Sequence, residues 1–335
     1  MSSTLHSKNM IATTVAAEQG GFSDLHPDII KSHILSRLDG PALGSAASCS
    51  PTLRRLSDDD GLWSTICHQT WPSTATSRLR HLISSFPGGG PRGFFSHAFP
   101  IPNFNLARGQ SAPPPELISA VDVHYKNDLI FTKIQETETV SGWFRCSPFR
   151  VDLLEPKDAV PTAIKHPEGD EECREMMESM NLSWILIDPE GRRAANLSSQ
   201  VPVAVQRHWL TGEVQARYAS IVAVDGAQVQ CAIVVTCGGA ESGEMQVREV
   251  SLEMEDMDGT HLNGKDSLVF LQGALEGRKG TGRKRVEEGQ TRYMEFVEMK
   301  RERRERKQRT EGALDVFCVA FGVSIFLAFC CFLFT

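Results

Sequence analysis

Val316 to Phe334 is a run of 19 residues without one charged side chain, and it limits the architecture of this 335-residue chain more than any other feature. At ~1.5 Å per residue a helix of that length spans roughly 28 Å, close to the hydrocarbon thickness of a bilayer. The run is dense in Phe and apolar all round, without the polar face of a helix laid on a soluble core. Almost nothing follows it, so the expected arrangement is a tail anchor over 313–335 that inserts once synthesis ends. Lys300 to Arg309, just before it, holds seven basic and two acidic residues. By the positive-inside rule this run keeps residues 1 to 310 on the cytosolic side. The net charge of the chain is −7, so with +5 on this basic run the remainder carries −12. That balance argues against a nucleic-acid-binding surface, which needs clustered Lys and Arg.

Nine cysteines are odd in number, without zinc-site spacing, and no secretory signal precedes them. Reduced thiols are therefore expected, and neither a metal nor another cofactor is called for. Residues 1–21 are polar and rich in Ala, Ser and Thr, a disordered lead-in. Short helices are expected over 22–70 and a helical or irregular linker over 71–110. A β-rich domain follows over 111–275, then a charged linker and solvated helix over 276–312.

Prolines punctuate the helical region at positions that suit helix starts. Pro27 begins a helix reaching Leu38, with Ile30, Ile34 and Leu38 at four-residue spacing on one face. Pro41 opens the next, with Leu43, Ala46 and Ala47, and Pro51 a third, with Leu53 and Leu56. A fourth runs from Leu62 to Thr70 with Trp63, Ile66 and Cys67 on one side. Helices this short are marginal alone, and some 50 residues cannot bury all these apolar groups. A partner surface is the place for the rest.

Leu117–Val123, Asp128–Lys133, Ser141–Arg145, Arg150–Leu154, Leu182–Asp188, Val201–Arg207, Val214–Val224, Val229–Thr236, Met245–Met254 and Ser267–Gln272 read as strands. Many short strands without interleaved amphipathic helices predict an antiparallel sandwich or jelly-roll-like fold. The fold class is thus α+β, ending in a transmembrane helix.

Leu25-His26-Pro27-Asp28-Ile29-Ile30, Ile34-Leu35-Ser36-Arg37-Leu38, Leu43, Ala46-Ala47-Ser48-Cys49 and Leu62-Trp63 resemble the F-box. Its pattern is Leu-Pro, then Ile-Leu-x-x-Leu, a second helix ending near Val-Cys, and a Trp-containing third. The chain departs from it twice: His26 intrudes between Leu25 and Pro27, and Leu53 stands where Trp is usual. Further stretches, Thr70-Trp71-Pro72-Ser73, Phe86-Pro87-Gly88-Gly89, Ser141-Gly142-Trp143-Phe144-Arg145 and Arg207-His208-Trp209-Leu210-Thr211-Gly212-Glu213, look like a plant F-box group with one C-terminal domain. The resemblance implies a non-catalytic substrate-recognition subunit of an SCF ubiquitin ligase, binding a Skp-family adaptor and through it cullin. Its adaptor contacts would be Leu25, Pro27, Ile30, Ile34, Leu38, Leu43, Cys49 and Leu53, some of which also fill the module's own core. An F-box scaffold or ligand-binding module acting without cullin is the alternative.

Trp143 with Arg145, and Arg207 with Trp209, pair aromatics with cations and are candidates for gripping a protein substrate. The plainer expectation for each is a core Trp beside a surface Arg. Asp256-Met-Asp258-Gly-Thr260 spells a phosphotransferase-like motif, but the strand before it alternates and little chain follows. A polar turn is the better reading.

Overall fold

The computed structural model describes residues 25–98, 105–106, 111–155, 157–277 and 285–334. The lead-in over 1–21, parts of the linker over 71–110 and residues 278–284 of the charged linker lie outside them. The chain divides into two compact units, one ending at Leu62 and the other beginning at Trp63.

In the first unit, α1 (Pro27–Ile29) passes into a π turn over Ile30–Ile34 and a 3₁₀ turn over Leu35–Arg37. The single α-helix expected from Pro27 to Leu38 is not formed. Ser32 Oγ donates to the Asp28 carbonyl and Ser36 Oγ to that of Ser32; such back-bonding bends helices. His26 has a local role: its Nδ1 accepts from the Asp28 N–H at 3.3 Å and caps α1. Helices α2 (Gly40–Cys49) and α3 (Pro51–Ser57) begin as the prolines predict. Asp39 caps α2 through the Ala42 N–H at 2.8 Å, and Ser50 caps α3 through the Leu53 N–H at 3.1 Å. Lys31 Nζ meets Asp59 Oδ2 at 2.5 Å, and Asp59 Oδ1 accepts from the Leu62 N–H within α4 (Asp60–Thr70). The Lys31 hydrogen bond, above all, holds the Asp59 carboxyl below its ordinary range.

Among the described residues, the second unit holds two sheets. Strands β2 (Glu116–Tyr125), β3 (Asp128–Glu138), β6 (Met180–Asp188) and β7 (Arg193–Asn196) form one, in the order β3-β2-β6-β7. The other is built on β9 (Val214–Val224), β10 (Ala227–Gly239) and β11 (Glu244–Asp256). It is flanked by β1 (Asn105–Leu106) and β8 (Ala204–Arg207) on β9, and by β4 (Arg150–Asp152) and β5 (Val160–Lys165) on β11. Pairings are antiparallel except β1 with β9. Alternate residues of both sheets, among them Val121, Trp184, Tyr218, Ile233 and Leu252, meet in one core.

Strand β2 is buried over seven consecutive residues, so its second face is also covered. The segment expected as a linker does this. It carries α5 (Ser77–Ser84) and α6 (Pro91–Ala98), with Phe86, Phe94 and Phe95 buried. Trp71 donates from Nε1 to Ser183 Oγ at 3.1 Å, and its ring packs on Phe94 and Phe95. The fully buried Asp122 accepts from the Ser73 N–H and Oγ–H, at 2.9 and 2.6 Å, and from Thr132 Oγ at 2.7 Å. Desolvation nevertheless pushes its pKa above the ordinary carboxylate range.

Three further elements differ from expectation. Ser267–Gln272 lies inside helix α9 (Gly264–Glu276), capped by Asn263, whose Leu268, Leu271 and Leu275 face the core. Ser141–Arg145 contributes a short helix, α7 (Gly142–Cys146), and the acidic segment Asp170–Glu178 forms α8. Helix α10 (Arg285–Phe334) is continuous over 50 residues, with no break between its charged and apolar parts. It is long and apolar enough to cross a membrane. All nine cysteines are free thiols.

Candidate functional site

The first unit sorts its apolar side chains into two groups. Ile30, Leu35, Leu43 and Ala47 are buried, with Ile30 at 2% and Leu43 at 0% exposure. Ile30 and Leu43, read from the sequence as adaptor contacts, therefore have no surface to offer a partner; their place is inside the module. Pro27 and Cys49 are exposed, Leu25 is 42% exposed, and Ile34, Leu38 and Leu53 are half-buried. Ile29, which the four-residue spacing passed over, is 45% exposed. The cause of this re-sorting is the π turn. The Leu35 N–H bonds back to the Ile30 carbonyl, five residues earlier, so Leu35 stacks over Ile30 in place of Ile34. Leu25, Pro27 and Ile29 thus leave apolar surface exposed at the start of a capped and ion-paired module. Exposed apolar side chains of this kind suit burial against another helix.

The second unit exposes two tryptophans. Trp143 stands on α7 with 84% of its surface exposed. Ser141 Oγ caps that helix through the Phe144 N–H at 3.2 Å, and Glu138 accepts from the N–H groups of Val140 and Ser141. Phe144 turns inward, edge-on to Phe149 and against Gly264, where a Cβ would clash with the Phe144 carbonyl. Its neighbour is thereby turned out, about 100° around the helix.

Trp209 is 88% exposed and Leu210 71%, at the tip of the connection between β8 and β9. The tip is closed by backbone bonds from His208 N–H to the Glu213 carbonyl at 2.7 Å and from Gly212 N–H to the His208 carbonyl at 2.9 Å. Gly212 has φ +70°, which glycine adopts without strain. His208 Nδ1 accepts from the Thr211 N–H, and the imidazole stacks beside the indole. Neither exposed tryptophan is the core residue of the plainer expectation; the core tryptophans are Trp63, Trp71 and Trp184. The proposed cation–aromatic pairing is also absent at both sites among the described residues. Arg207 instead donates to the Glu168 carbonyl and meets Asp170 at the start of α8, while Arg145 is exposed. The two tryptophans do not form one patch. Trp209 follows β8 and α7 precedes β4, at opposite edges of the order β8-β9-β10-β11-β4. Four strand spacings of about 4.8 Å separate those edges by roughly 19 Å.

Asp256 shapes a turn. Its Oδ1 accepts from the N–H groups of Asp258 and Thr260, at 2.8 and 2.9 Å. Glu253, Glu255 and His261 gather nearby, but Arg150 pairs with Glu253 and Lys300 with Glu255. The cluster's negative charge is thus already balanced by cations.

Residues 22–65 match the family described as the F-box domain. Over most of its length the chain is similar to F-box proteins of Arabidopsis thaliana. One is 44% identical over 331 residues, covering 95% of this chain and 97% of that protein. A second, named a probable F-box protein, is 46% identical over 304 residues, 90% of each chain. A third is 42% identical over 305 residues, 86% of this chain and 83% of its own. No solved structure matches the chain.

Proposed function

Because the chain belongs to the plant F-box protein family, we propose that it is the substrate-recognition subunit of an SCF-type ubiquitin ligase, tethered to a membrane by α10. F-box proteins are generally SCF substrate-recognition subunits that bind Skp-family adaptors, and they are typically non-catalytic. The observation that carries the reading is the exposure of the apolar side chains Leu25, Pro27 and Ile29 within the matched residues 22–65. Ile34, Leu38 and Leu53 are half-buried and keep part of their surface as well. Covering such surface releases about 25 cal/mol per Å² of apolar area. Catalysis then belongs to the partners, and this chain contributes position and selection.

The unit from Trp63 onward supplies the substrate receptor, with Trp143 and the Trp209–Leu210 tip as its contact points. Exposed Trp on rigid supports is the residue type that most often carries binding energy at interfaces. The apolar half of α10 supplies the tether, and its basic run sets the bulk of the chain on the cytosolic side.

Deleting residues 22–57 tests the docking step and spares Trp63, Ile66 and Cys67, which lie buried in α4. Co-purification of both adaptor and cullin should be lost, and unchanged cullin recovery would refute docking through these residues. Removing residues 313–335 should release the protein from carbonate-washed membranes; a full-length chain that is itself soluble would refute the tether.

A further inference from the structure

We propose that Glu255 and Asp258 form a docking site for the basic half of α10, and that this clamp joins the receptor unit and the membrane helix into one rigid body. The proposal rests on the membrane reading of α10 given above. Phe296, Lys300 and Arg303 recur at four- and three-residue spacing and so share one face of α10. Phe296 is fully buried where the helix packs beside β9. Lys300 Nζ meets Glu255 Oε2 at 2.9 Å. Arg303 grips both oxygens of Asp258, with Nε to Oδ1 at 2.8 Å and Nη2 to Oδ2 at 2.9 Å. That two-bond geometry is the directional form of the ion pair.

The turn is built for this approach. Asp256 uses its carboxylate to fold the turn that presents Asp258. Gly259, with φ +80°, lies so near α10 that an added Cβ would stand 3.4 Å from the Lys300 side chain. The Asp-x-Asp-Gly-Thr motif thereby acquires a role: its first acid shapes the turn and its second holds the helix.

Beyond the clamp the helix carries its own support. Glu298–Arg301, Arg301–Glu305 and Glu305–Arg309 form a ladder of ion pairs at 2.6, 3.9 and 3.6 Å. No proline interrupts α10 before the apolar run. Val316 lies thirteen residue steps on from Arg303, or roughly 20 Å of helix. The headgroup layer takes up about 5–7 Å of that. The receptor is then held at a set height, close above the membrane surface.

The test is backbone hydrogen exchange by mass spectrometry on the full-length protein in phosphatidylcholine vesicles. Slow exchange is expected without a break from residue 293 to residue 333. Glu255→Lys with Asp258→Lys should speed exchange over 293–303 at least tenfold and leave 316–333 protected. Adding Lys300→Glu and Arg303→Glu should restore protection, because the pairs re-form with charges exchanged. Unchanged amides of β10 serve as the check that the sheet stays folded, and Arg303→Gln is a milder second variant with the same expected direction. Wild-type amides over 293–303 exchanging as a free helix, or a swap that restores nothing, would overturn the clamp. Fast exchange over 304–315 between two protected segments would overturn the rigid body. Failure of the vesicles to carry the protein on flotation, with 293–303 still protected, would overturn the membrane reading and leave the clamp standing.

Discussion

Replacing Leu25 and Ile29 together by alanine should weaken adaptor binding by about 10- to 80-fold while the chain stays folded. The two side chains retain 42% and 45% of their surface. Fully burying a Leu or Ile is worth about 1.5–3 kcal/mol, so covering what remains releases roughly 0.7–1.3 kcal/mol for each. Together that is about 1.4–2.6 kcal/mol, and each 1.4 kcal/mol is tenfold in Kd. Alanine keeps a methyl group, which places the result toward the lower end. The control is Ile30→Ala. Ile30 is 2% exposed, so its truncation opens a cavity and costs about 2–5 kcal/mol of folding stability. Titration calorimetry against the purified adaptor, with a thermal melt of each variant, separates the two effects. The surface pair should lose affinity at an unchanged melting temperature, whereas Ile30→Ala should lower the melting temperature first. An affinity for the surface pair within twofold of wild type would refute the assignment of these two side chains.

Other outcomes follow from the geometry. Trp71→Ala removes a 1%-exposed ring and its bond to Ser183, and should cost about 3–5 kcal/mol in urea denaturation. Asp122→Asn should be far milder than Asp122→Ala. The amide can still serve Ser73 and Thr132 and sheds a buried charge, whereas alanine strands the Ser73 N–H. For Asp59, whose folded pKa is depressed mainly by Lys31, the stabilisation is present above the unfolded value of about 3.9 and is lost as pH falls through the folded one. Asp59→Asn should therefore destabilise the chain at pH 7, with the gap to wild type closing below about pH 4; a gap independent of pH would refute the coupling. Trp143→Ala and Trp209→Ala should each shift stability by no more than about 0.5 kcal/mol, since both rings are exposed. Each should still lower the yield of captured substrate in ubiquitin-remnant profiling.

The sequence by itself determined the parts that rest on local periodicity. Val214–Val224 reads as a strand and is one over those residues; Pro41 and Pro51 mark helix starts with Asp39 and Ser50 capping them. The uncharged run Val316–Phe334 reads as a helix from composition alone. The spaced Leu, Pro and Ile of residues 22–65 carry the family. Tertiary structure decided which side each apolar residue faces. Ile29 and Ile30 are chemically alike and adjacent, and only the π turn beneath Leu35 settles that one points out and the other in. Leu268-Val269-Phe270-Leu271 suits a strand or a helix, and burial of one face against the core, with Asn263 as cap, chose the helix. Trp143 and Trp209 look no different in sequence from Trp71 and Trp184. Phe144 filling the space against Gly264, and a tight turn at Gly212, turn the first two outward. Periodicity reports a residue's place on its own element. Which faces meet is set by contacts between residues distant in the chain, such as Ser73 with Asp122 and Lys300 with Glu255.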